Sequence, residues 1–399
     1  MPQPNWSAIL TCNAKGLPHA NLNNTILYLE HDPELATPRL RYNDFSGATI
    51  YANSPAREWR DDDDVALTAR IQDTAGMVHL PKSVVADAVD LVARRRSFHP
   101  VREWLATLTW DGIDRLSTAF EDYWGADLTP DQPCDHVRGA SRNFFISLVR
   151  RVLEPGCKCD TMPVFEGSQG IKKTSALEIL GGDWFASIDA SVVDKDFLQG
   201  LRGKWLIEIA ELNAFTRAEW SHTKSMLSRR FDTYRPSYGR RTIDVLRQCV
   251  FAGTTNVTDW AADDTGNRRF WPITCGAIDT GSLAAARDQL FAEAVHAAWA
   301  GETHWLMPDS TKTVQADRHP EHAWTEPILD GLIGQTETTM TYVVTTILKI
   351  RLSDSTVTTE RIVGSILRHA GWVNKPARRQ GRLGKVWFAP NTAADVLIL

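Results

Sequence analysis

The sequence predicts an α/β protein in which helices flank a mainly parallel β-sheet. Three short apolar segments support this prediction, since each is typical of a buried strand; they are TMPVFEG, KWLIEIAEL and QCVFAGTTN. Helical segments separate them, and short apolar strands that alternate with helices favour a parallel sheet with ligands at the carboxyl ends of its strands. All three segments end in polar residues, so we expect the chemistry at that edge.

The bulk composition predicts a soluble, globular protein of two or three domains. The chain has 399 residues, of which 43% are hydrophobic and 23% charged. A net charge of -5 argues against a protein that coats nucleic acid with its whole surface, but it allows a local basic patch. Six cysteines without a regular framework, no secretory signal and no membrane span predict a cytoplasmic protein with free thiols.

The N-terminal region is predicted as a separate module over residues 1–125. Residues 1 to about 60 suggest only a short element and a long connection, and the acidic run 61–64 suggests a solvated turn. After residue 78 the module is expected to be mainly helical, because PKSVVADAVDLVARRRSF spaces its valines along one helical face. The sheet-bearing core is expected over 126–305.

The last part of the chain, 306–399, has the outline of a winged helix. EPILDGLIGQTETTMTYVVTTILKI and TTERIVGSILRHAGW predict two helices, and VNKPARRQGRLGKVWFAP predicts a basic hairpin. The basic side chains of this hairpin are Lys375, Arg378, Arg379, Arg382 and Lys385. They either grip duplex DNA or form a solvated surface.

The segment FEGSQGIKKT lies between the first predicted strand and a helix, which is the context of a phosphate-binding loop. It matches the pattern G-x-x-x-x-G-K-[ST] except that Lys172 replaces the second glycine. In such a loop the lysine, here Lys173, spans the phosphates of ATP, and the hydroxyl of Thr174 binds Mg²⁺. The predicted nucleotide-binding residues are Gly167, Ser168, Gln169, Gly170, Ile171, Lys172, Lys173, Thr174 and Ser175.

Acidic and amide side chains follow the other two predicted strands. Glu208 is favoured as the acid that holds the metal or polarises water, and Glu211 is the second acid. Both can serve only if the strand ends near Ala210, because side chains alternate between the faces of a strand. Asn256 ends the third segment and is suited to orient water against the γ-phosphate. An exposed edge strand and an ordinary turn are the alternatives.

Two basic features follow from the same part of the chain. Arg268 and Arg269 in TGNRRFWPI are suited to complete an ATPase site across a subunit boundary, or else form surface ion pairs. The segment RAEWSHTKSMLSRRFDTYRPSYGRRTIDVLR is strongly basic, and its turn RPSYG, flanked by Tyr234, suggests a hairpin that contacts single-stranded DNA. The predicted contacts are Lys224, Arg235, Tyr238, Arg240 and Arg241.

Five motifs in order give the sequence a family resemblance: FEGSQGIKKT, GKWLIEIAEL, LSRRFDTYRPSYGRR, CVFAGTTN and TGNRRFWPI. Over about 130–305 it resembles the virulence-associated protein E family of phage and mobile-element proteins, which is related to superfamily 3 helicases with an AAA+ core. The resemblance implies ATP hydrolysis by a ring, usually hexameric. It also implies that Asn256 is the sensor, that Arg268 or Arg269 is the arginine finger, and that the basic hairpin projects into the ring channel.

These observations together predict a DNA-translocating ring ATPase with ATP and Mg²⁺ as cofactors, specifically a replicative helicase of a phage or mobile element in a bacterial host. The alternative is a non-motor protein that binds DNA under nucleotide control, or interferes with another element, and uses the ring as a switch. The basic insert and the paired arginines disfavour a small-molecule kinase. No acidic primase signature is evident, so priming is not expected.

Overall fold

The computed structural model describes residues 6–32, 35, 39–52, 55–188, 195–212, 215, 217–236, 241–258, 260, 267–318, 323–379 and 382–390. Its N-terminal part combines helices with a small antiparallel sheet. These elements are α1 (Leu22–His31), β1 (Leu40–Asn43), β2 (Ala48–Tyr51), β3 (Arg57–Glu58), α2 (Asp61–Ala75), α3 (Lys82–Arg94), α4 (Pro100–Thr107) and α5 (Ala119–Trp124).

The middle of the chain supplies the central sheet and the helices around it. Its elements are α6 (Cys134–Leu153), β4 (Met162–Glu166), α7 (Lys173–Gly181), β5 (Phe185–Ile188), α8 (Lys195–Gly200), β6 (Leu206–Ile209), α9 (Arg217–Leu227), β7 (Phe231–Tyr234), β8 (Ile243–Leu246), β9 (Val250–Thr255), β10 (Phe270–Thr274), α10 (Thr280–Trp299) and α11 (Ser310–Ala316).

The C-terminal part consists of helices and a three-stranded sheet. Its elements are α12 (Thr325–Gly331), β11 (Glu337–Thr338), α13 (Met340–Tyr342), α14 (Val357–His369), β12 (Val373–Arg379) and β13 (Arg382–Phe388). The hairpin β12–β13 pairs with β11 in the order β11-β13-β12. The winged helix itself remains a prediction. The first predicted helix is interrupted, because Gly334 adopts a φ of 77° and the chain then enters β11.

The central sheet has five strands in the order β10-β4-β9-β6-β5. Every neighbouring pair is parallel. The predicted fold class, an α/β protein with a mainly parallel sheet flanked by helices, is therefore confirmed, and each of the three predicted strands is present as β4, β6 and β9. Because the strands are parallel, their carboxyl ends share one edge of the sheet.

Both faces of this sheet are covered, which explains why its strands are apolar throughout instead of alternating. Successive residues join different cores: Phe165 and Leu206 pack with α6, α7 and α10, whereas Val164 and Ile207 pack with Trp220 of α9. The same alternation places Glu208 on the α7 face, two residues after Leu206.

The edge strand β10 was not predicted as a strand, and Pro272 within it is the reason. Proline is excluded from central strands but tolerated at an edge, where its missing N–H removes no ladder bond. Side chains cover the outer edge of β10 instead: Gln315 donates to the Phe270 carbonyl at 2.7 Å, and a His136 ring nitrogen lies 2.7 Å from the Pro272 carbonyl oxygen.

The N-terminal region contains more structure than the sequence suggested. Residues expected to form a long connection form the antiparallel sheet β1-β2-β3. The prediction of a turn at 61–64 was wrong, since these aspartates form the first turn of α2, where the helix dipole favours acidic side chains. One of them, Asp64, is buried and accepts a hydrogen bond from the Trp59 indole at 2.9 Å.

The division at residue 125 remains a prediction, and the packing favours an earlier boundary near residue 97. Leu105 of α4 and both Phe120 and Trp124 of α5 belong to the same buried cluster as Phe165 of β4. A separate cluster, which includes Leu29, Ile71 and Val89, holds α1, α2 and α3 together.

Among the described residues, no helix is long and apolar enough to cross a membrane.

Buried histidines predict that acid destabilises the fold. Burial lowers the pKa of His136, whose ring nitrogens also contact Thr311 and Pro272. As the pH falls below about 6.5, the unfolded chain protonates before the folded protein does, so the free energy of unfolding decreases between pH 7 and 5. We expect His136→Gln to flatten this dependence in urea unfolding by on the order of 1 kcal/mol relative to the wild type. Identical pH slopes for the variant and the wild type would contradict this role of His136.

Candidate nucleotide-binding site

The loop 167–172 leaves the carboxyl end of β4 and leads directly into α7. Gly167 has a φ of 147°, and a Cβ at this position would lie 2.7 Å from the Ile171 Cδ1 and 3.0 Å from the Cys275 carbonyl oxygen. A side chain there would displace Ile171 and strain the backbone, so the fold favours glycine as the first residue of the motif. Ser168, Gln169 and Gly170 are exposed in the loop, whereas Ile171 and Ser175 are half-buried.

Lys172, the departure from the motif, occupies a backbone conformation that favours glycine. Its φ of 72° and ψ of 31° lie in the left-handed region, at the residue immediately before α7. The side chain is exposed. The pKa of Asp279 is lowered mainly by hydrogen bonds from Ser282 and to a smaller extent by the charge of Lys172. The Lys172 ammonium group is therefore near Asp279.

Lys173 is buried with its ammonium group surrounded by oxygen atoms. Its Nζ donates to the Gly167 carbonyl at 2.5 Å, to the Ser168 carbonyl at 3.0 Å and to the Asn256 Oδ1 at 3.1 Å. Burial lowers the pKa of Lys173. The predicted lysine and the predicted sensor amide, 83 residues apart in sequence, therefore meet at one point. These acceptors are weak partners that a phosphate oxygen can replace.

Glu208 connects α7 to two strands of the sheet. It is fully buried, and its Oε1 accepts hydrogen bonds from the Thr174 hydroxyl at 2.8 Å and the Thr254 hydroxyl at 2.7 Å. Its Oε2 is buried and has no hydrogen-bond partner among the residues that the structure describes. A buried carboxylate oxygen with spare capacity beside a threonine hydroxyl fits Mg²⁺, which takes one or two carboxylates together with substrate phosphates and water.

Glu211, the predicted second acid, could serve only if its strand ended near Ala210, and the structure meets this condition. Strand β6 ends at Ile209, so Glu211 lies beyond the point where side chains must alternate between faces. Glu211 is exposed and has a φ of 53°, another left-handed conformation in a residue other than glycine. Such strained residues cluster at functional sites. Its role as a catalytic acid remains a prediction.

Arg268 and Arg269 lie at the amino ends of the strands, on the side of the sheet away from the phosphate loop. They precede the first residue of β10, Phe270, which is level with Met162 at the start of β4. The end of β10, Thr274, is level with Glu166, four residues and about 13 Å further along at about 3.3 Å per residue. Within one chain these arginines are therefore remote from the loop; Arg269 instead donates to the Ser228 hydroxyl at 3.1 Å.

The predicted basic hairpin is present as the antiparallel pair β7–β8. Arg235 and Arg241 are exposed near its tip, and Lys224 is half-buried on α9. Tyr238 and Arg240 lie outside the described residues. Tyr234 was expected among the aromatic residues that face DNA, but it is 5% exposed. Strand alternation places Tyr234 on the same face as Asp232, which points into the protein.

A buried ion pair anchors the base of this hairpin. Asp232 of β7 pairs with Arg247, which follows β8, and their side chains are 7% and 1% exposed. The Arg247 carbonyl accepts hydrogen bonds from the Gly156 amide at 2.9 Å and from the Arg151 guanidinium at 3.3 Å. The hairpin therefore projects from a rigid base.

Three residues at the site were not foreseen: Glu166, Trp260 and Arg318. Glu166 is fully buried at the end of β4, and both Trp260 and Arg318 donate hydrogen bonds to its carboxylate. The sequence contains one signal for it, since an acid that ends an apolar strand requires a buried cation or donor. Nothing local marks Arg318 as that cation, because 152 residues separate the two.

The strain at Lys172 can be tested directly. Lys172→Gly should raise the free energy of unfolding by roughly 1 kcal/mol, because glycine adopts a positive φ without steric penalty. Lys172→Ala removes the charge but keeps the Cβ, so it should bring no such gain. Urea unfolding of both variants measures the difference. Equal stabilities would show that the charge, and not the backbone conformation, determines the effect of this residue.

One comparison with known proteins gives a family match. The family profile described as the virulence-associated protein E-like domain matches residues 105–323, which is more than half of the chain. The search of curated proteins found no significant match.

Two solved structures illustrate the more distant likenesses. The apo A form of the NrS-1 C-terminal region shares 11% identity with a TM-score of 0.48, over 88% of this chain and 96% of that one. A RuvB mutant from Thermotoga maritima shares 10% identity with a TM-score of 0.24, over 64% of this chain and 93% of that one. Likenesses this loose carry no functional weight. On the family match, the chain belongs to the virulence-associated protein E-like family.

Proposed function

We propose that this protein hydrolyses ATP in the presence of Mg²⁺. The observation that carries the proposal is the convergence of Lys173, Thr174, Glu208 and Asn256 at the carboxyl ends of β4, β6 and β9. A phosphate-binding lysine, a metal-binding hydroxyl, an acid and an amide are the groups that phosphoryl transfer to water requires, since its catalysis is mainly positioning and charge stabilisation.

Each residue has a defined role in this proposal. The Lys173 ammonium exchanges the carbonyls of Gly167 and Ser168 for phosphate oxygens and neutralises their charge. Thr174 and Glu208 hold Mg²⁺, which when bound neutralises charge on the β- and γ-phosphates. Asn256 orients the attacking water, and Glu211 is the second acid. The loop amides and the start of α7 bind the phosphates through backbone N–H groups.

The position of the arginines supports an oligomeric enzyme. Arg268 and Arg269 lie at the amino ends of the strands, whereas the loop lies at the carboxyl ends. Neither arginine is therefore placed to serve the site of its own chain. A neighbouring subunit in a ring, hexameric by family resemblance, would bring one of them to the γ-phosphate. An arginine supplied in this way stabilises the charge of the transition state.

Strand β9 supports a link between ATP hydrolysis and DNA movement. It begins three residues after Arg247, at the base of the basic hairpin, and ends at Thr255 between Thr254 and Asn256. A change of contacts at the γ-phosphate can therefore reach the hairpin through one short, buried strand. We propose that Lys224, Arg235, Tyr238, Arg240 and Arg241 contact single-stranded DNA and that the protein is a replicative helicase of a phage or mobile element in the bacterial cytoplasm.

Loss of the phosphate-binding lysine tests the ATPase proposal. Lys173→Ala should reduce ATP hydrolysis to background, because no other buried cation of the described site faces the loop carbonyls. Lys15→Ala, which removes an exposed lysine outside the loop, is the control and should retain the activity. Phosphate release with and without Mg²⁺ is the measurement. Turnover that persists in Lys173→Ala would remove this loop from the mechanism.

The arrangement in trans predicts rescue between two inactive proteins. Lys173→Ala and Arg269→Ala subunits should each be inactive alone, yet mixtures should recover part of the activity, since some interfaces then combine an intact loop with an intact arginine. The same mixing is repeated with Arg268→Ala to identify the finger. If no ratio of either pair restores activity, the arginines do not act across subunits.

The hairpin is tested by separating basal from DNA-stimulated hydrolysis. Arg235→Ala with Arg241→Ala should lower the stimulation by single-stranded DNA several-fold and spare basal turnover, because each contact with a phosphate contributes to salt-dependent binding. Lys15→Ala with Lys82→Ala removes two exposed cations elsewhere and serves as the control. Unchanged stimulation would place the DNA path elsewhere. DNA-stimulated hydrolysis without strand displacement would favour the switch over the helicase.

A further inference from the structure

The carboxylate of Glu166 is the most fully engaged acid near the phosphate loop. It is 0% exposed, and strand alternation directs it to the face of the sheet opposite Glu208. Its Oε1 accepts from the Trp260 indole at 2.7 Å and from the Arg318 Nε at 2.9 Å. Its Oε2 accepts from the Arg318 Nη2 at 2.9 Å and from the Thr274 hydroxyl at 3.1 Å. Donors from three side chains therefore converge on one carboxylate.

The ion pair with Arg318 is bidentate and buried on both sides, with side-chain exposures of 0% for Glu166 and 8% for Arg318. A buried pair of this kind is weak evidence for stability, because desolvation offsets much of the attraction. Its geometric effect is strong, since a planar guanidinium bound at both oxygens fixes the orientation of the carboxylate. Glu166 is the last residue before the loop, so its orientation determines how the chain enters that loop.

The side-chain partners of Glu166 come from three segments near the phosphate loop. Trp260 follows the sensor Asn256 by four residues, and Thr274 ends β10. Arg318 follows α11, which is itself held against β10 by Gln315. The backbone takes part as well, because the Glu166 carbonyl accepts from the Cys275 amide at 2.8 Å. The segment 310–318 is thus fixed to the root of the loop.

We propose that Glu166 and Arg318 are positioning residues for the phosphate loop. The pair holds the loop in its binding conformation and joins it to segment 310–318, which leads into the C-terminal helices and hairpin. A displacement of that segment would therefore change the conformation of the loop. The part of the proposal that concerns nucleotide binding depends on the proposed ATPase function, whereas the part that concerns loop order does not.

A double variant, Glu166→Gln with Arg318→Met, tests the pair without leaving one buried charge unpaired, as either single change would. The matched control is Glu293→Gln with Arg142→Met. This change removes an ion pair outside the loop whose acid, Glu293, has a side chain only 3% exposed. Thermal unfolding of both variants measures any general loss of stability.

The first measurement is hydrogen exchange of the Ala176 and Cys275 amides in the nucleotide-free protein, since they donate to the Lys172 and Glu166 carbonyls at the two ends of the loop. We expect exchange about tenfold faster in the Glu166/Arg318 variant than in the wild type, and no change in the control, because local opening is governed by local contacts. Exchange equal to that of the control would overturn the positioning role, whether or not the protein binds ATP.

The second measurement is the binding of ADP with Mg²⁺ by titration calorimetry, together with KM and kcat for ATP. We expect the Kd and KM of the Glu166/Arg318 variant to rise about tenfold with a smaller change in kcat, since the loop contacts bound substrate and transition state alike. A wild type that binds no nucleotide would refute the proposed function. A wild type that binds, beside a variant that binds equally well, would refute this inference alone.

Discussion

The parallel pairing of β4, β9 and β6 is the constraint on which the candidate site depends. Because the three strands run in the same direction, the phosphate loop, Asn256 and Glu208 all belong to one edge of the sheet. The Glu208 carboxylate then connects these elements, with hydrogen bonds from α7 and from β9. An antiparallel β6 would place Glu208 and the loop at opposite edges. The site is thus a consequence of strand direction before it is a consequence of side-chain chemistry.

The two edges of the same sheet have different tasks in the proposed mechanism. The carboxyl ends of the strands carry the groups suited to phosphates and metal. The amino ends carry the base of the basic hairpin together with Arg268 and Arg269. In that mechanism each subunit contributes to two sites, with its loop in one and an arginine in the site of a neighbour. In the proposed mechanism this division is the physical reason for a ring, and β9 is the shortest path between the proposed nucleotide site and the proposed DNA contacts.

Sequence reasoning identified the parts of the site that depend on local patterns. The loop between a strand and a helix was evident from FEGSQGIKKT, and Glu208 and Asn256 were evident because polar residues end apolar strands. Edge strands were missed, since β10 contains Pro272 and β5 is only half-buried. The pairing of Glu166 with Arg318 could not be predicted, because no local pattern connects residues 152 positions apart. The left-handed conformation of Lys172 was likewise invisible, since the motif shows only that a glycine is missing.

The most direct test of the account is a crystal structure of the protein with a non-hydrolysable ATP analogue and Mn²⁺ in place of Mg²⁺. We expect anomalous scattering to locate the Mn²⁺ beside the Thr174 hydroxyl and the Glu208 carboxylate. We also expect Lys173 to leave the carbonyls of Gly167 and Ser168 and to bind the β- and γ-phosphates. A nucleotide bound elsewhere, or a Lys173 ammonium that keeps its contacts with the loop carbonyls while the analogue is bound, would contradict the account.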